Sequence, residues 1–96
     1  MRQRKLIGLL RVGMHIKEVR TQRGVRLSEM ARLVGYGNIN RGVQRLHLFE
    51  SEGIITEELL QKVVEALDIP AEDLKRLIEQ DRVDLERRFE EWCSKL

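Results

Sequence analysis

Apolar residues in this chain recur three and four positions apart, in short stretches broken by glycine, asparagine or proline. That spacing gathers them on one face of an α-helix, which turns once every 3.6 residues. A helix with one apolar face must bury it against a neighbour, so the pattern calls for several short helices sharing one core. Composition points the same way. Helix formers dominate, aromatic residues are only 4%, and the one proline is Pro70. With 42% hydrophobic residues in 96, there is enough apolar material for one compact core. The expected class is all-α, and a sandwich or barrel is disfavoured.

The breaks divide the chain. Residues 13–23 read as a first helix with Ile16 and Val19 inward, stopped at Gly24. A second runs from about Arg26 or Leu27 to Val34, with Leu27, Met30, Ala31, Leu33 and Val34 as one broad apolar face. Gly35-Tyr36-Gly37-Asn38 interrupts it sharply. A third helix spans about 38–50, capped by Asn38 or Asn40, with Ile39, Val43, Leu46 and Phe49 inward. Its opposite face carries Arg41, Gln44, Arg45 and Leu48, with His47 at the edge. Thr56 caps a fourth helix whose stripe is Leu59, Leu60, Val63, Val64 and Leu67. After a hinge at Asp68-Ile69-Pro70, a fifth helix uses Leu74, Leu77 and Ile78. Asp81 is expected to cap a separate last helix, whose stripe is Leu85, Phe89, Trp92 and Leu96. The expected organisation is therefore a basic extension (1–12), a five-helix domain (13–80) and an amphipathic C-terminal helix (81–96).

The net charge of +2 conceals an asymmetry. Residues 1–49 hold eleven Lys/Arg against two acids, a balance of +9. Residues 50–96 hold seven Lys/Arg against fourteen acids, a balance of −7. A half this basic suits a polyanionic partner. The lone Cys93 excludes a disulfide framework and a cysteine-based metal site, and fits a cytoplasmic setting. The apolar run Leu6–Leu10 is cut by Arg11 and is too short for a signal sequence, and no stretch reaches a membrane span. No glycine-rich phosphate loop, zinc-protease motif or nucleophile–base set occurs, so neither enzymatic activity nor a cofactor or metal is expected.

Four fragments in order carry a resemblance: VGMHIKEVRTQRG, MARLVGY, FESEG and ALDIPAEDL. They resemble the first helix, the second helix and its turn, the close of the recognition helix, and the link into the last helix of one family. That family is the phage-repressor-like (Cro/repressor-type, XRE-like) helix-turn-helix family, and the match covers residues 12–74. Met30 stands where the family has leucine, and residues 35–50 hold about five more than its usual pattern. The resemblance implies a five-helix repressor-like domain, here with an additional C-terminal helix. It also implies a sequence-specific regulator of transcription, a repressor, that binds double-stranded DNA as a homodimer.

On that reading the third helix enters the major groove, where arginine forks onto guanine and glutamine or asparagine pairs with adenine. The base-reading set would be Asn40, Arg41, Gln44, Arg45 and Leu48. Phosphate contacts would come from Lys17, Arg20, Arg23, Arg26, Arg32, Tyr36 and Asn38, with Arg2, Arg4 and Lys5 as an arm in the adjoining groove. Leu85, Phe89, Trp92 and Leu96 would either pair with a second subunit or fold back on their own core. No small-molecule effector is evident. The alternative is a protein-interaction module, an antitoxin-like or phage adaptor protein, using its acidic C-terminal half.

Overall fold

The computed structural model describes residues 4–96 and contains five helices and two very short strands. The helices are α1 (Leu10–Gln22), α2 (Leu27–Leu33), α3 (Ile39–Glu52), α4 (Glu57–Leu67) and α5 (Ala71–Ser94). Strands β1 (Lys5–Leu6) and β2 (Ile55–Thr56) pair antiparallel, Lys5 opposite Thr56 and Leu6 opposite Ile55. The fold is all-α with this minor sheet attached. Arg2, one of the expected arm residues, lies outside the described residues.

The stripes of the first four helices meet in one core with Leu33 the exception, and Leu74 and Leu77 of α5 pack against it, while Ile78, expected inward, is 36% exposed. Phe49, Ile16, Met30, Leu46, Leu67, Val12 and Val63 are the largest fully buried side chains, and they come from α1, α2, α3 and α4. Two glycines set how closely the helices approach. A Cβ at Gly13 would lie 2.4 Å from the Phe49 carbonyl oxygen, so α1 lies directly against the α3 backbone. A Cβ at Gly42 would lie 2.7 Å from the Ala31 Cβ and 2.8 Å from the Tyr36 ring. Only hydrogen fits there, and α3 can therefore settle on α2 and the connecting turn.

Three expectations need correction. Leu33 is 62% exposed rather than part of the inner face. Helix α2 has seven residues, and so short a helix cannot turn five apolar positions inward. Helix α1 begins at Leu10 rather than Gly13, so residues 10–12 belong to the helical domain and not to the basic extension. Its entry is held by β1 and by the Leu9 amide, which donates to the Gly53 carbonyl at 3.0 Å.

The third correction concerns the C-terminal end. No separate helix starts at Asp81: α5 runs unbroken for 24 residues. Nothing between Ala71 and Ser94 is a glycine or proline, so helical propagation meets no stop. Asp81 is instead 3% exposed and serves a different helix. Its Oδ1 accepts from the Arg11 amide at 2.9 Å and its Oδ2 from the Val12 amide at 3.1 Å. These amides open α1, which has no acid of its own in its first turn and no side-chain cap from Leu9. Beside them the Arg11 guanidinium donates to Asp84 at 2.6 Å, and this hydrogen bond holds the Asp84 carboxyl below the usual carboxylate range. Beyond Asp84, every residue of α5 is exposed.

Candidate nucleic-acid interface

Helix α3 carries the candidate site, and the positioning starts with its cap. Asn38 adopts an extended conformation, and its Oδ1 accepts from the Arg41 amide at 3.1 Å. Leu46 and Phe49 are buried, while Ile39 and Val43 pack against the core from its edge. With that side anchored, the 3.6-residue period turns Asn40, Arg41, Gln44 and Arg45 outward, all exposed, and Leu48 beside them at 39% exposure. All five expected base readers thus lie on one outward side of one rigid helix. Side chains of this kind offer forked donors and paired donor–acceptor edges.

The expected phosphate set divides. Lys17, Arg26 and Arg32 are exposed, as is Asn38. Tyr36 is half-buried against the core. Arg20 is not available. Its Nε and Nη2 donate to the two Glu50 oxygens at 2.8 and 2.9 Å, and its Nη1 donates to the Val25 carbonyl at 2.8 Å. Side-chain exposures of 12% for Arg20 and 5% for Glu50 make this a buried, two-pronged ion pair. Withdrawing the guanidinium to meet a phosphate would strand the Glu50 charge indoors. Arg23 is also engaged, since its Nη1 donates to the Leu67 carbonyl at the end of α4, though the side chain remains at the surface.

One group escaped notice in the sequence. Glu50 has a signal there, because it follows Leu46 by four positions and so falls on the inward side of α3. Lys5, expected as part of an arm, is held against α3 by strand pairing, where with Tyr36, Arg45, Leu48 and Thr56 it lines a cleft of about 250 Å³. Among the described residues, no group of three or more His, Cys, Asp or Glu side chains forms a metal site. No helix among them is long and apolar enough to cross a membrane.

Comparison with known protein families, curated proteins and solved structures finds no match for this chain.

Proposed function

We propose that the protein is a sequence-specific duplex-DNA-binding regulator of transcription, acting as a homodimeric repressor and reading the major groove with α3. The observation that carries this reading is the outward side of α3. Asn40, Arg41, Gln44, Arg45 and Leu48 project from a helix whose other side is locked into the core. The backbone that carries this surface is already ordered before binding, so only side-chain freedom is lost when the bases are read. The +9 balance of residues 1–49 supports it by attracting phosphates around the reading helix.

The test is duplex-DNA affinity measured across salt concentrations. With about five to eight phosphate contacts per dimer, log K should fall against log salt with a slope of roughly −4.5 to −7. Arg45→Ala and Gln44→Ala should leave the fold intact and each cost about 1–3 kcal/mol on a selected sequence, relaxing preference at one base position. A flat salt dependence would remove the reading.

The C-terminal stripe supplies the homodimer. Leu85, Phe89, Trp92 and Leu96 are 43%, 62%, 58% and 87% exposed, and the Phe89 and Trp92 rings lie 6.1 Å apart. Two clustered aromatics left outward invite a cover, and a two-fold partner would set two reading helices on adjacent turns of DNA. Phe89→Ser with Trp92→Ser should halve the solution mass while leaving the helical circular-dichroism signal unchanged, since neither ring belongs to the core. The same stripe also favours a second reading, a protein-interaction module whose tail docks a different chain. Under that reading the parent chain is already monomeric, and light scattering separates the two.

A further inference from the structure

Among the clefts of the surface, the one between β1, α3 and the start of α4 differs in charge. The clefts that include Lys62, Arg11 or Arg87 also include carboxylates: Glu58 or Glu65 beside Lys62, and Asp84 beside Arg11 and Arg87. The cleft of about 250 Å³ beside α3 is lined by Lys5 and Arg45, with no carboxylate in its wall among the described residues. Its remaining polar groups are the Tyr36 and Thr56 hydroxyls, and Leu48 and Ile54 are among its apolar lining. Thr56 Oγ1 accepts from the Leu59 amide at 3.3 Å, a role that leaves its hydroxyl proton available to donate. Glu57 and Glu58 follow Thr56 but stay out of the lining, and Glu58 meets Lys62 at 3.3 Å.

Lys5 does not reach this place as a free arm. Its backbone pairs with Thr56, the Glu57 amide donates to the Arg4 carbonyl at 2.8 Å, and Leu6 packs against the core. Folding has thus already met the entropy cost of placing this cation beside α3. Cations and hydroxyl donors against apolar walls concentrate the field on an incoming anion.

We propose that this cleft seats a phosphodiester group of the DNA backbone, with Lys5 as its principal cation and the Tyr36 and Thr56 hydroxyls as donors. The site rests on the duplex-DNA reading and deepens it. The contact comes from the N-terminal strand and lies beside the Arg45 and Leu48 end of the reading surface. It therefore clamps the backbone where α3 leaves the groove, fixing register without reading bases.

The experiment uses the full chain with Lys5→Ala and Lys5→Arg, each checked for an unchanged melting transition. Affinity for a selected duplex and for a scrambled duplex is measured across salt. Lys5→Ala should weaken both duplexes alike and flatten the salt slope by about 1.8, the value of two phosphates, one per subunit of the dimer, while Lys5→Arg should keep the parent slope. An unchanged slope for Lys5→Ala overturns the cleft, and if Arg45→Ala still alters base preference, the DNA reading survives that failure. Absence of salt-dependent duplex binding by the parent removes the DNA reading and the cleft together. In a further arm, inorganic phosphate is titrated alone and followed by amide shifts at Lys5, Tyr36 and Thr56. Saturable phosphate binding there, with no change in the DNA slope of Lys5→Ala, would make the cleft a free-anion site and overturn the proposal.

Discussion

Glu50→Ala should cost about 3–5 kcal/mol of folding stability, because it removes one partner of a buried ion pair and leaves the other charged. Arg20 cannot simply turn to water, since its side chain is 12% exposed and a third hydrogen bond ties it to the Val25 carbonyl. The pair joins the last turn of α1 to the inner side of α3, so its loss loosens the helix that carries the candidate reading surface. Urea denaturation would check this through a lower midpoint at an unchanged slope. A loss below about 1 kcal/mol would mean that water enters and the pair is not buried in solution. The same geometry changes what Arg20→Ala should do. A surface phosphate contact would lower DNA affinity and leave the melting transition alone. Here the variant should melt early, because it leaves the Glu50 carboxylate, 5% exposed, without its cation.

Asp81→Ala should be the next most damaging change, at about 2–5 kcal/mol. Two backbone amides, that of Val12 buried and that of Arg11 part-buried, would lose their acceptor, and each such loss costs about 1–3 kcal/mol, least where water can reach the amide. Asp81→Asn should recover part of this, since its one carbonyl oxygen can still accept from an amide. Hydrogen exchange offers a direct check: the Arg11 and Val12 amides should exchange much faster in Asp81→Ala. If both stayed protected while stability was unchanged, the α1 entry would be held by β1 and the Leu9–Gly53 bond alone.

Much of the fold is legible in the spacing of apolar residues, and the reason is local. Ile39, Val43, Leu46 and Phe49 mark the inner side of α3, and Arg41, Gln44, Arg45 and Leu48 must then face away, whatever the helix packs against. Thr56 before Glu57, Glu58 and Leu59 marks the start of α4 for the same reason, since a cap acts on amides two or three residues ahead. These features involve residues within one or two turns of each other, so a linear reading reaches them.

The pairings between distant segments are another matter. Asp81 ahead of an apolar stripe looks like a helix cap, yet its carboxylate serves amides 69 and 70 positions earlier. Arg20 looks like any surface cation until Glu50, 30 positions on, is found facing it. Lys5 lines the same cleft as Arg45 only because two-residue strands pair, and strands that short leave no periodicity to read. The sequence by itself determined an all-helical core and the outward side of α3, because both follow from helical period. Tertiary packing alone decided which charges are locked inside and which remain at the surface for a partner. A carboxylate or guanidinium has the same local pattern in either role, and only the chain that comes to lie opposite tells them apart.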